Sequence, residues 1–353
     1  MSARRVLVWL GLVLALVAIA AGIAFGWSWT RLNEPFKGFS ETEKTVIVES
    51  GQSARAIFER LAAEGVLQHA TLTRLYFRYV LEEPALQAGE YRFSGAATAS
   101  QILDKLSHGE VVLHEVTLLE GLTLEEIAAT LTANGFGTLD AFLAAMRSVD
   151  LIRDLDPQAT DLEGYLFPDT YAFARGTSET EIVATLVGTF RRRFEKDVRV
   201  LLSAERQLES PRDLVSLASI IEKETLVDSE RAVVAGVYTN RLERSIALYA
   251  DPTVIFALKR LGTWDGNIRR TDLRIDHPYN TYVHTGLPPG PICSPGLASL
   301  RAAAQPAEVP YLYFVSRNDG THVFSSTLAE HNRAVNKWQR QYWREKWAAE
   351  KRK

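Results

Sequence analysis

Two carboxylates, Glu222 and Glu224, leave an apolar run in the stretch LVSLASIIEKETLVDSER, residues 214–231. A carboxyl on an apolar helix loses solvation, so its charged form is disfavoured and its pKa rises. That keeps an acid protonated for proton transfer near neutral pH. A helix that simply meets water at a Glu-Lys-Glu edge reads the same way, and the rest of the chain must separate the two cases. A second stretch, DLEGYLFPDTYAF at 161–173, mixes aromatics with Gly164, Pro168 and Asp169. Its rings either line a sugar cleft by stacking on pyranose faces or form loop core. The seven histidines are scattered without a His-Glu-x-x-His spacing, and the single Cys293 leaves no disulfide or cysteine-based zinc site. No metal and no cofactor is expected. A net charge of −3 gives no basic field for nucleic acid.

The elements that must position these residues follow from patterning. At 353 residues, 46% hydrophobic and 24% charged, the chain has material for one large or two medium domains. Arg4 and Arg5 precede an uncharged run, Val6 to Trp27, long enough for a bilayer at about 20 residues per crossing. It exceeds the roughly 7–15 apolar residues of a signal peptide. An uncleaved signal anchor is expected over 6–28, with residues 1–5 a cytoplasmic tail. Everything past residue 30 then lies across the membrane, because arginines precede the span and Glu34, Glu41 and Glu43 follow it.

A linker over 29–44 leads to a repeat over 45–150. Gly51, Ile57, Leu61 and Gly65 recur as Gly121, Ile127, Leu131 and Gly135 at a constant offset of seventy residues. Each copy reads as a strand, a glycine turn and two amphipathic helices. This layout resembles the LysM module, a β-α-α-β fold that in many proteins binds N-acetylglucosamine-containing glycans; an α+β spacer would share it. The polar, proline-bearing 150–160 suits a boundary. Beyond it come a long helix capped by Ser178, further helices including that of Glu222, a hairpin turning at Asn318-Asp319-Gly320, and a closing helix whose charged end is 341–353. The fold class is α+β: one transmembrane helix, a LysM-like β/α module and a mostly helical domain with a β-hairpin.

LEGYLFPDTY, ASIIEKET, ERAVVAGVYTNRL, ADPTVIFAL, YNTYVHTGLPPGPICSPG, PYLYFV and HVFSSTLAEHN occur in the order seen in the YceG-like family. The chain resembles that family over residues 40–340, with the catalytic domain at 160–340. The resemblance implies an endolytic peptidoglycan lytic transglycosylase on the bacterial cytoplasmic membrane, its catalytic domain on the periplasmic or extracellular side. Such an enzyme cuts nascent glycan strands between N-acetylmuramic acid and N-acetylglucosamine, leaving 1,6-anhydro ends. Peptidoglycan synthases and division proteins are the partners it implies.

The first glutamate of the family's Glu-Lys-Glu-Thr motif maps onto Glu222, acting as acid and then base. Periodicity pulls slightly the other way. Glu224 follows Ile221 and Ile220 by three and four residues, nearer the middle of the apolar face, while Glu222 stacks on Ala218 and Ser219 at the flank. A reachable acid belongs on the flank, which favours Glu222 and makes Glu224 a supporting residue in a buried polar network. Asn280 and Tyr282 offer amide and phenol groups for acetamido and hydroxyl recognition, or are turn formers. Asp251 either orients a sugar hydroxyl beside the acid or opens a helix before Pro252. Glu163 and Tyr165 are expected at the cleft wall, Asn240 as a cap or substrate contact, and His322 and His331 in the family pattern or as core groups. The competing reading is a non-catalytic peptidoglycan-binding scaffold. A hydrolase would need a second carboxylate, such as Asp251, near the first.

Overall fold

The computed structural model describes residues 3–202 and 210–350. Helix α1 (Ala3–Leu32) opens the chain, and its stretch Trp9–Leu32 is long and apolar enough to cross a bilayer. Leu12, Val13 and Leu14, consecutive residues that the helix places on different sides, are all exposed, so the helix is apolar around its circumference, as a lipid-facing helix is. It runs unbroken past the expected end of the span at 28. The expected tail, 1–5, begins outside the described residues.

The chain forms two compact units, one up to His114 with Ala172–Gly176, the other Glu115–Tyr171 with Thr177 onward. In the first, β1 (Lys44–Val48), α2 (Ala54–Ala63), α3 (Ala70–Tyr79) and β2 (Gly89–Phe93) precede α4 (Ala99–His108). Strands β1 and β2 pair antiparallel with Val46 opposite Tyr91. Alternation sends Val46, Val48, Tyr91 and Phe93 inward, against Ile57, Phe58 and Leu61 of α2 and Ile102 and Leu106 of α4. The second copy follows as β3 (Leu113–Thr117), α5 (Leu124–Ala133), α6 (Leu139–Ala145) and β4 (Thr170–Ala174), with β3 and β4 sharing a sheet.

Both copies are therefore β-α-α-β, and their phase is set by matched left-handed turns. Gly51 (φ +79°) and Gly121 (φ +77°) enter the first helix, and Gly65 (φ +73°) and Gly135 (φ +79°) leave it. Ser53 and Thr123 cap α2 and α5 from equivalent positions. The second copy closes only at residue 174, beyond the expected module end at 150. Residues 150–160, expected as a polar boundary, contribute to the core: Ile152, Leu155 and Asp156 are buried. The Tyr165 hydroxyl donates to Asp156 Oδ2 (2.9 Å) and Arg212 Nη1 donates to Oδ1 (2.7 Å). Two donors turn a carboxylate that looks like surface into a core group.

The second unit continues with α7 (Glu179–Arg193), α8 (Pro211–Glu224), α9 (Asp228–Glu243), α10 (Asp251–Arg260) and α11 (Leu297–Ala304). The hairpin β5 (Tyr313–Ser316) and β6 (His322–Ser325) and the helices α12 (Leu328–Val335) and α13 (Tyr342–Glu350) complete it. A capping box of Ser178 and Glu181 starts α7 as expected. Pro211 at the first turn and the Ser210 cap start α8.

From Leu214 to Glu222 every residue of α8 is buried, so this helix is the core that the others cover. One of its buried polar residues, Ser219, ties a second segment to the helix. Ser219 Oγ donates to Ser216 O (2.7 Å) and accepts the Ile292 N–H (3.0 Å), while Cys293 Sγ donates to Ser219 O (3.3 Å). These bonds fasten the Pro/Gly-rich tract across α8. On α9, a Cβ at Gly236 would fall 2.3 Å from the backbone oxygen of Ala307. Gly236→Ala should therefore force α9 away from this segment and destabilise the protein by about 1–3 kcal/mol, read as a lowered denaturation midpoint with the membrane helix kept in detergent.

Candidate functional site

The last turn of α8 carries both glutamates, and the chain then reverses through Thr225–Val227 into α9. Glu222 faces α9 and α11. Its Oε1 accepts from Arg231 Nη1 (3.1 Å) and its Oε2 from the Gly296 N–H at the start of α11 (2.9 Å). Arg231 also donates from Nη1 to Ser299 Oγ (2.6 Å) and from Nε to Asp228 Oδ1 (3.1 Å). Glu222 is 6% exposed, and both its oxygens are engaged as acceptors.

Glu224 has the opposite setting. It is only half-buried, and Tyr238 of α9 donates its hydroxyl to Oε1 (2.9 Å). Burial, against the pull of that hydrogen bond and with nearby Asp251 adding repulsion, pushes its pKa up to about 7. The order expected from periodicity is thus reversed. An ideal helix places Glu224 nearer the apolar centre, but α9 and α11 close over the Glu222 side and the chain turns away at Thr225.

Asp251 is exposed at the first turn of α10 and accepts the Tyr282 hydroxyl at 2.6 Å. Asp251 and Tyr282, both singled out by sequence, therefore pair directly, and both lie within electrostatic reach of Glu224. Asn280 does not join them. It is fully buried, and its amide donates to Leu273 O (3.3 Å) and Ile275 O (2.8 Å) while Oδ1 accepts the Tyr282 N–H (2.9 Å). It knots the loop that presents Tyr282, the turn-forming alternative.

Glu163 and Tyr165 do not line a cleft either. Tyr165 is the core phenol bonded to Asp156, and Glu163 spreads both oxygens over the Leu124 N–H at 3.2 Å, with 3% exposure. Desolvation raises the Glu163 pKa to about 8. Asn240 donates to Val309 O (2.7 Å) and Tyr311 O (2.9 Å), fastening that segment to α9. The His322 N–H donates to Glu230 Oε1 (3.0 Å) and its Nδ1 lies 2.7 Å from Oε2, a structural pair, and the His331 ring stacks on Tyr313. Among the described residues no group of three His, Cys, Asp or Glu side chains could hold a metal ion.

Sequence reading missed Arg231, Tyr238 and Arg241. The signal was present, because Arg231, Val234, Tyr238 and Arg241 recur on one face of α9 and all are buried, and a charge on an apolar stripe needs a partner. Arg241 finds backbone carbonyls, donating to Leu312 O (2.6 Å) and Leu248 O (2.8 Å).

The family model of the YceG-like family matches residues 46–337. The chain is 31% identical over 326 residues to the endolytic murein transglycosylase of Bacillus subtilis (strain 168), covering 87% of this chain and 88% of that one. It is 27% identical to the endolytic murein transglycosylase of Streptococcus pneumoniae (strain R6), covering 91% of this chain but 63% of that longer protein. The crystal structure of a yceG-like protein from Listeria monocytogenes is similar with a TM-score of 0.56 at 33% identity, over 84% of this chain and 100% of that one.

Two substitutions test the buried charges. Arg231→Leu leaves Glu222 without its cation and should cost about 3–5 kcal/mol of stability, part of which Glu222→Gln in the same chain should restore. Glu163 binds its proton up to about pH 8 when folded against an ordinary 4.5. Its contribution to stability is full below that ordinary value and is lost as pH rises toward the folded one. Glu163→Gln should then gain on wild type across this window by an amount on the order of a few kcal/mol, visible in unfolding midpoints measured between acid and alkaline pH.

Proposed function

The chain belongs to the YceG-like family, and from that premise we propose that it is a membrane-anchored endolytic lytic transglycosylase acting on peptidoglycan glycan strands, with Glu224 as its acid. The observation that carries the residue choice is the contrast between the two glutamates. A proton donor must be able to hold a proton near neutral pH and reach substrate. Glu224 has a pKa near 7 and a half-open setting beside Asp251 and Tyr282. Glu222, expected as the acid, has both oxygens occupied and is enclosed, and its role in this reading is to hold α8, α9 and α11 together.

In the reaction, Glu224 gives its proton to the bridging oxygen as the bond from C1 of N-acetylmuramic acid to N-acetylglucosamine breaks. The muramyl 6-hydroxyl attacks the oxocarbenium-like C1, and its proton passes to the Glu224 carboxylate, which restores the acid and closes the 1,6-anhydro ring. Attack from the same sugar supplies the proximity that a bound water would otherwise need. Asp251, held by Tyr282, raises the proton affinity of Glu224 and is placed to orient a sugar hydroxyl. It is also the second carboxylate that a hydrolase would require, so product chemistry separates the two outcomes.

Helix α1 serves as the anchor. The basic residues before it and acidic residues after it support a cytoplasmic N-terminus, with the rest of the chain outside the cytoplasmic membrane among the synthases and division proteins that build the strands.

The test incubates the full-length protein in detergent micelles with purified peptidoglycan and weighs the released muropeptides. Wild type should release 1,6-anhydro products, with activity falling as pH rises through about 7. Glu224→Gln should lose about 10²–10⁴-fold, whereas Glu222→Gln should lower the unfolding midpoint and keep measurable turnover. Reducing ends in place of anhydro ends would establish hydrolysis. Absence of any product from a folded wild type would leave the scaffold reading, and an active Glu224→Gln beside an inactive, stably folded Glu222→Gln would return the acid to Glu222.

A further inference from the structure

Tyr249 precedes Ala250 and Asp251 in a loop that sequence gave no reason to single out. It is half exposed, at 51%, and its backbone is left-handed at φ +49°. For a bulky side chain that conformation is strained and persists only where neighbours impose it. Here the neighbours are clear. The Tyr249 N–H donates to Thr281 O (3.3 Å) and the Ala250 N–H to Thr281 Oγ1 (3.1 Å), which also pairs with Thr253 Oγ1 (2.9 Å). Thr281 and Thr253 are both buried, so the strained residue is bolted to core.

The ring is fixed as well. It lies 5.2 Å from the Tyr282 ring, tilted by 51°, and 5.8 Å from the Arg241 guanidinium. Tyr282 in turn donates to Asp251, and Asp251 is close enough to raise the proton affinity of Glu224. A large, rigid, half-exposed aromatic therefore stands against Tyr282, the residue that holds Asp251, in a conformation that glycine would adopt without strain.

We propose that Tyr249 is a stacking platform for a pyranose ring, an N-acetylated hexosamine of the glycan strand adjacent to the bond that Glu224 protonates. This rests on the transglycosylase reading of the same site. The axial C–H groups on one face of a pyranose meet an aromatic face, and a ring already immobilised loses little freedom on binding. The backbone strain is then the cost of presenting an aromatic where the loop itself favours glycine.

The test uses the full-length protein in micelles and soluble, uncrosslinked strands of alternating N-acetylglucosamine and N-acetylmuramic acid. Tyr249→Ala and Tyr249→Gly should raise KM about threefold to tenfold with little change in kcat, and Tyr249→Phe should keep the wild-type KM. Tyr249→Gly should keep a higher unfolding midpoint than Tyr249→Ala, because both lose the ring and only glycine relieves the positive φ. A folded Tyr249→Gly with wild-type KM overturns the platform, as does equal loss of kcat and midpoint in all three variants, including Phe. Strand binding measured calorimetrically in a Glu224→Gln background keeps the two readings apart. Weakened binding on Tyr249→Ala, with no anhydro product from wild type, would overturn the transglycosylase and uphold the platform; unchanged binding beside an active wild type would sink the platform alone.

Discussion

The buried pair of Glu222 and Arg231 is the interaction on which the rest of the second unit depends. One guanidinium joins the end of α8 to α9 and reaches the first turn of α11 through Ser299, while the carboxylate takes the amide of Gly296, the residue that caps α11, directly. Desolvating two charges is costly and is offset only when every remaining donor and acceptor finds a partner. Here the partners are drawn from three helices, so satisfying the pair is the same event as assembling them. The direction in which the chain leaves α8, and hence what Glu224 meets, follows from that assembly.

Two carboxyls two residues apart are thereby given different surroundings. Glu222 receives a cation and an amide, and Glu224 receives a phenol, partial burial and a neighbouring acid. Separation of this kind is how one scaffold assigns unlike tasks to like side chains. The Tyr282 loop is held by the same economy of buried donors, since Asn280 spends its whole amide on backbone and leaves the phenol of Tyr282 to engage Asp251.

Much of this was legible in the sequence where the signal is local. The glycine spacing marked the repeat because left-handed turns leave few alternatives to glycine, and Ser178 marked the start of α7 because a helix end needs an acceptor. The apolar run marked α1, and the alternation around Asn318-Asp319-Gly320 marked the hairpin. The proposed site is half legible: Glu224, Asp251 and Tyr282 stand out in the sequence, but the pairing of Asp251 with Tyr282 does not. Periodicity gives the face of one helix and says nothing of what covers it, so the exposures of Glu222 and Glu224 came out in the wrong order. The aromatics at 161–173 look like a cleft for the same reason, yet Tyr165 is consumed by a buried aspartate whose other partner, Arg212, lies 56 residues away, outside any local pattern. Tyr249 carries no compositional mark at all, because its strain is a property of the loop's tertiary fastening to Thr281.

Glu224 is also the final residue of α8. At that end the peptide dipoles of a helix add up to partial negative charge on carbonyls that lack an intrahelical partner. A carboxylate forming there meets that field, so the helix itself opposes loss of the proton, by an amount on the order of 0.3–1 kcal/mol. The polarity of the chain becomes part of the acid's chemistry: the same carboxyl presented from the amino end of a helix would be drawn toward the anion, and an otherwise identical constellation of side chains would hold its proton less firmly.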